Sequence, residues 1–370
     1  RNTLLKIITM RSPLSILCML CTAFAMAVAG CSSGDIPLPA SRDKVILSLG
    51  VQLGDIIGNQ ARSAEEEAKE GEIMKSLRVI VLDAEWHVEH NSYFSFDNPV
   101  DRYTDPRFPV KANQLKTVIL VANEHAFSVG DPESGAVAPA SEVFSALSAA
   151  IGEYVDVSQL QKLEVPLAAN ADASGCLRRD LPIAGIFTCY IGTEDTEAVF
   201  RLHRAATKYT YRIKNMSGRG RTITGVHLSH SASTEYLFPD ADYSDKEMTH
   251  ISAYRVPDAA KSSEFTYDCS VSLADGQSVE LPPIYQLEGV ATTDADPYST
   301  TISTEGVMLA WRPIQWRLQE SSMPLRLMTD LPRNTHVVVN ILLKDQNDIA
   351  LEVILVPYRG VNLDPGFGLD

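Results

Sequence analysis

Apolar and polar residues alternate along much of this chain, and the alternation is that of β-strands. Residues 44–53 (KVILSLGVQL) place Val45, Leu47, Leu49, Val51 and Leu53 on one face and Ile46, Ser48, Gly50 and Gln52 on the other. That spacing predicts a strand buried on one side and mostly exposed on the other. A polar, Glu-rich stretch (GNQARSAEEEAKEGE) follows, with little reason to pack. Apolar runs at residues 76–82 and 117–121 predict further strands. One segment reads as a helix: over residues 142–151, Val143, Phe144, Leu147 and Ile151 recur at helical spacing, Ser141 stands at an N-cap position and Gly152 can stop the turn.

The second half is more uniformly β. Tyr209, Tyr211 and Ile213 share a face, residues 215–220 supply a polar turn, and short strands are predicted at 223–228, 264–267 and 307–311. Residues 336–343 and 349–356 flank KDQND and predict a closing hairpin. The coil PLAANADASGCLRRDLP and the stretch 192–195 place a domain boundary near residue 195, giving an N-terminal unit over 31–195 and a C-terminal unit over 196–370. Short strands separated by turn clusters predict an all-β chain of sandwich-like domains with Greek-key connections.

At the N-terminus, the apolar run 14–29 falls short of the ~20 residues that a spanning helix needs. Arg11 and Lys6 precede it, as in an export signal. Val28-Ala29-Gly30-Cys31 resembles the lipobox of bacterial lipoproteins, so residues 1–30 are expected to be a signal peptide and Cys31 the lipidated start of the mature chain. The competing readings are an ordinary cleaved signal and a short membrane anchor. Acyl chains at Cys31 add ~0.8 kcal/mol per buried CH2, enough in number to hold a protein at the outer membrane.

The formal net charge is −15 and no Lys/Arg cluster stands out, which excludes a nucleic-acid surface. Besides Cys31 the mature chain has Cys176, Cys189 and Cys269. Cys176 and Cys189 can pair in an oxidising compartment or remain buried thiols, but an odd count gives no disulfide framework. The pairs His87/His90 and His227/His230 have metal-like spacing, yet both fall in or beside strand patterns, where residues three apart point to opposite sides. Asp83, Glu85 and Glu89 read as a solvated acidic edge. Trp86, Trp311 and Trp316 serve either as sugar-stacking platforms or as core and rim residues. No nucleophile elbow, P-loop or dinucleotide fingerprint is present, and no enzyme, cofactor or metal is expected.

The feature that stands out is mechanical. Burying the five aliphatic residues of strand 44–53 is worth roughly 7–15 kcal/mol before entropy is subtracted. Withdrawing that strand would open a groove with unpaired backbone, which a strand from another subunit can fill. Equally, the strand can be permanent and Arg62, in the loop behind it, an ordinary exposed arginine.

Four stretches, in order, resemble the fimbrillin family of type V pilus subunits: IMKSLRVIVLDAEWHVEHN, QLKTVILVANEH, VFRLHRAATKYTYRIKNMSGRGRTITGVHLSH and LPRNTHVVVNILLKD with LEVILVPYRGVNLDPGFGL. In the third, an Arg, small residues and a Lys precede an alternating strand, with Thr207 where Ala is expected. The resemblance implies two tandem transthyretin-like β-sandwich domains, lipoprotein export, and a trypsin-like protease that cuts after Arg62, leaving Ser63 first. The strand lost would be Val45 to Leu53, with the protease-sensitive loop over 54–72. The donor segment would lie at about 353–369, offering Leu355, Tyr358, Val361, Leu363, Phe367 and Leu369, with Pro357 and Pro365 interrupting ladder pairing. The implied partners are other pilus subunits, the maturation protease, the outer membrane through lipid, and a host or bacterial surface ligand. The resemblance implies a polymerising pilus subunit, or an anchor or tip subunit that keeps its lipid on Cys31; a reading from another class is a surface lipoprotein that binds glycans on exposed Trp or Tyr.

Overall fold

The computed structural model describes residues 43–54, 71–238, 257, 260–289, 292–316, 326–329, 331, 333–344 and 348–356. In chain order the first strands are β1 (Lys44–Leu53), β2 (Met74–Leu82), β3 (Val88–Val100), β4 (Arg102–Tyr103), β5 (Arg107–Lys111) and β6 (Gln114–Ala122). They are followed by β7 (Ser128–Gly130), β8 (Val137–Pro139), β9 (Glu164–Pro166), β10 (Ile183–Ile191) and β11 (Thr196–Arg204). Among the described residues, β1 to β6, β10 and β11 form one eight-stranded sheet in the order β3-β2-β6-β10-β11-β1-β4, with β5 also on β1.

This sheet folds back on itself. β10 and β11 share only Ile183↔Arg204 and Ala184↔His203, and past that corner β1 lies across from β2 and β6. The inner faces close into one cluster that joins Val45, Leu47, Leu49, Val51 and Leu53 to Leu77, Val79, Val118 and Leu120. The outer face of β2 and β6 is covered as well: Ile80, Leu82, Ile119 and Val121 pack against the helix α1 (Ala140–Ala146) through Val143 and Phe144. Being buried on both faces explains why β2 and β6 read as continuous apolar runs rather than alternating ones. The helix is shorter than its spacing predicts. Pro139, not Ser141, is its N-cap, and Leu147–Ala150 continue as a 3-10 turn.

The remaining strands are β12 (Thr207–Asn215), β13 (Arg221–Ala232), β14 (Thr234–Tyr236), β15 (Ser262–Leu273), β16 (Ser278–Glu280), β17 (Ile284–Gln286) and β18 (Ser299–Thr304). Then come β19 (Val307–Met308), β20 (Arg312–Pro313), β21 (Gln315–Trp316), β22 (Arg326–Leu327), β23 (His336–Leu343) and β24 (Ile349–Val356). One five-stranded sheet runs β16-β12-β23-β24 with β17 on β12; the other runs β15-β13-β18-β19 with β20 on β18. Tyr209, Tyr211, Ile213, Val337, Val339 and Ile341 of the first meet Ile223, Val226, Leu228, Phe265 and Ile302 of the second in a shared core. This is the packing of a β-sandwich. The expected closing hairpin is present, with β23 and β24 paired from His336↔Val356 to Leu343↔Ile349.

The boundary expected near residue 195 falls between β10 and β11, which belong to one sheet; the chain changes sheets at Ala205 and Ala206. The strand expected over 307–311 is only the exposed pair Val307–Met308. Cys176, Cys189 and Cys269 are free thiols, the first in the core of the second sandwich and the second beside the first cluster. Burial pushes all three thiols up.

Candidate functional site

The first strand is held on both edges. β1 runs parallel to β11 from Leu47↔Thr196 to Leu53↔Leu202, and antiparallel to β5 from Lys44↔Lys111 to Ser48↔Arg107. Val51 and Gln52 continue that second edge on β4. None of Val45, Leu47, Leu49, Val51 and Leu53 is more than 5% exposed, as the alternation predicts. Gly50 sits at a close approach of the two parallel strands, where a Cβ would stand 3.0 Å from Cγ2 of Val199. Since β1 precedes the other strands described, it can leave the sheet without unthreading any of them. What remains is a slot lined by Phe108, Val118, Phe200 and Leu202 between β11 and the β4/β5 edge.

A buried polar latch closes the exit of that slot. The N–H of Gly54 donates to the Leu202 carbonyl at 2.8 Å, and the Gly54 carbonyl accepts from Nδ2 of Asn334 at 2.8 Å. Asn334 is fully buried with φ +55°, a conformation that Asn tolerates better than most residues. Its Oδ1 accepts from the N–H and Nη1 of Arg204 at 3.3 and 3.0 Å. Arg204 in turn donates from Nε to the Glu72 carbonyl at 2.7 Å. The Glu72 carboxylate lies 2.8 Å from Nζ of Lys208 and accepts from the Tyr285 hydroxyl. Burial first, then the Glu72 charge, hold that hydroxyl far above the usual phenol range. The Gly71 carbonyl accepts from the Leu181 N–H. Residues 54 and 71–72, which flank segment 55–70, are thus fixed to β11, β12, β17 and the turn before β23. His203 presses on the same exit: a Cβ on Gly54 would stand 2.9 Å from its Nε2. Burial and the neighbouring Arg333, Arg204 and Arg201 lower its ring to about 4, so it is neutral at pH 7.

Of the other expected site residues, Cys31, Arg62, Ser63, Tyr358, Val361, Leu363, Phe367 and Leu369 lie outside the described residues. Leu355 lies in β24, paired with Val337, so residues 353–356 belong to this protein's own sheet.

The histidine pairs do different things. His90 contacts the Pro109 carbonyl through Nε2 at 2.8 Å, and His87 contacts the Asp83 carboxylate at 3.3 Å. Asp83, Glu85 and His87 bring three ligand atoms within 4.8 Å of one another. Asp83 is already occupied: it accepts from the N–H groups of Glu85 and His87 and from Nζ of Lys111. Burial pushes its carboxyl up, but those donors outweigh burial and hold it below the usual carboxylate range. At the second pair, strict alternation fails. The β13–β15 register shifts between Leu228 and Ser231; His230 lines a groove beside Asp296, while His227 lies behind it, 3.7 Å from the Glu264 carboxylate. Trp311 lines that groove, whereas Trp86, at φ +64°, packs on the first half's core; the two are not brought together.

The latch is what sequence reasoning missed. Its only local trace is the Arg204-Ala-Ala-Thr207-Lys208 stretch, whose two cations bind the main chain and side chain of one residue, Glu72.

No family model and no curated protein matches this sequence. Solved structures do. The tip fimbrial protein Mfa3 from Porphyromonas gingivalis, with a C-terminal truncation, superposes with a TM-score of 0.53 at 11% identity, covering 85% of this chain and 99% of that one. A cell-adhesion candidate from Parabacteroides distasonis ATCC 8503 gives 0.50 at 14% identity, covering 86% and 98%. The all-β, sandwich-like expectation is therefore met, and the chain shares the fold of this tip fimbrial protein and this cell-adhesion candidate.

Proposed function

We propose that this protein is a structural subunit of a cell-surface pilus, built from two β-sandwich domains and assembled by strand exchange. Its precursor is a lipoprotein held at the outer membrane through Cys31. A trypsin-like protease cuts between Arg62 and Ser63, β1 leaves, and a segment beyond Val356 of the next subunit fills the slot. The observation that carries this reading is β1 itself. It is the first strand described, with five buried aliphatic side chains, joined onward through segment 55–70. Its loss leaves β3-β2-β6-β10-β11 paired and opens a slot between β11 and the β4/β5 edge, which among the described residues pairs only with β1. The fold shared with a tip fimbrial protein supports it. The test is to treat purified precursor with a trypsin-like protease and look for polymers by electron microscopy. Cleavage after Arg62 that yields only monomers or unfolded chain refutes strand exchange.

The latch supports a second reading, an anchor or tip subunit that keeps β1 and its lipid. The N-terminal residue of the protein on cells separates the two: Ser63 marks a polymerising subunit, lipidated Cys31 an anchor.

A further inference from the structure

We propose that the groove on the second sandwich, bounded by Trp311, His230, Glu264 and Asp296, binds a neutral pyranose sugar. The inference stands apart from the strand-exchange reading, because no residue of the groove belongs to β1 or its latch.

The groove has a volume of about 410 Å³, within the range of small-ligand sites, and Ser229, Ser262, Ser263 and Ser299 complete its wall. A β-bulge opens it. Leu228 pairs with Phe265 and Ser231 with Ser263, so Ser229 and His230 together face the single residue Glu264. His230 adopts φ +57° there, a left-handed conformation usually left to glycine, and bulges of this kind re-aim side chains at functional sites. The His230 ring is set between Oγ of Ser262 at 3.2 Å and Oδ1 of Asp296 at 3.3 Å. Beside it, Trp311 is half-buried and meets His227 edge-on at 6.3 Å. His227 is itself fixed by Thr266 and Ser303, which gives the indole a rigid backing.

The chemistry of the wall selects the ligand. One aromatic face flanked by serine hydroxyls and two exposed carboxylates matches a pyranose, which has an apolar C–H face and a rim of hydroxyls. No Lys or Arg among the described residues lines the groove, and Glu264 and Asp296 repel acidic sugars and phosphates. A metal ion is not favoured: among the described residues, only Asp83, Glu85 and His87 bring three ligand atoms close enough for one.

The test is to apply the full chain to an array of neutral galactosides, mannosides and N-acetylglucosamine chains, with sialylated and phosphorylated glycans beside them. Hits are then titrated calorimetrically, and host-type galactosides and cell-wall-type N-acetylglucosamine chains report the source of the sugar. The expected result is binding of a neutral glycan that weakens at least tenfold in Trp311→Ala and in Glu264→Gln, with Trp311→Phe retaining part of it and unchanged thermal unfolding confirming the fold. Binding of no glycan, binding of only acidic glycans, or binding that survives Trp311→Ala overturns the proposal. If Trp311→Ala does not fold, the result is read from Glu264→Gln and Asp296→Asn in the same way.

Discussion

Replacing Asn334 by alanine cuts the tie between the exit of β1 and the far half of the chain. Three hydrogen bonds are lost: one to the Gly54 carbonyl and two from Arg204. The buried Gly54 carbonyl loses that donor, at about 1–3 kcal/mol; the bond from the charged Nη1 of Arg204 is worth about 1.5–3 kcal/mol and that from its main-chain N–H about 0.5–1.5 kcal/mol. Alanine must also hold φ +55°, which costs about 1 kcal/mol. Because the groups share one network, the total is less than the sum, and about 3–5 kcal/mol is expected. The assay is urea unfolding together with amide exchange of Leu49, Val51 and Leu53. Exchange should accelerate along β1 before the second sandwich opens, since the lost contacts lie at its exit. Asn334→Gly relieves the backbone without restoring the bonds, so it should recover only the conformational part. If Asn334→Ala lies within about 1 kcal/mol of the parent and β1 stays equally protected, the latch reasoning is wrong.

Leu49→Ala, at a position 1% exposed, should cost the precursor about 2–5 kcal/mol in denaturant melts. If β1 departs on assembly, fibres formed from this variant should be as stable as the parent's; weaker fibres would show that the strand stays. Glu72→Gln removes the negative charge 2.8 Å from the buried Lys208 ammonium and should destabilise by about 3–5 kcal/mol, while adding Lys208→Met should return part of that loss. Burial raises the Glu235 carboxyl, with Arg333 and the Glu288 N–H opposing it. A raised folded-state value means a contribution fully present below the usual glutamate range and lost as pH rises through the folded value. Melting temperatures from pH 4 to 8 should therefore favour Glu235→Gln over the parent increasingly toward neutral pH, and a constant difference would count against it.

The sequence made β1 legible because a half-buried strand writes its environment into alternate residues: all five aliphatic residues from Val45 to Leu53 on the inner face are buried, and only Gly50 on the other face is buried with them. β2 and β6 were legible as strands and residues 142–151 as a helix, but no local pattern says that this helix covers the second face of those two strands. The helix ended early because Ile151 leaves helical geometry to bridge Val88, and Gly152 turns at φ +84°. The latch stayed hidden since Gly54 and Asn334 are 280 positions apart, and an Asn-Thr pair before a strand looks like any turn. The groove at Trp311 hid for another reason: the bulge that shapes it carries histidine where glycine would have signalled the kink.

The parallel pairing of β1 with β11 also dictates an order of events during synthesis. The acceptor for the Ile46 amide, Asp195, lies 149 residues further along the chain. At ribosomal rates of about 5–20 residues per second, the edge of β1 that faces β11 waits roughly 7–30 s for its partner to be made. Within its own sheet, the first strand described is therefore the last to be paired on both edges. Until then β1 can pack only on strands made earlier, such as β2, β5 and β6, with its β11 edge open, and its slot is completed only when β11, the last strand of that sheet in chain order, is in place.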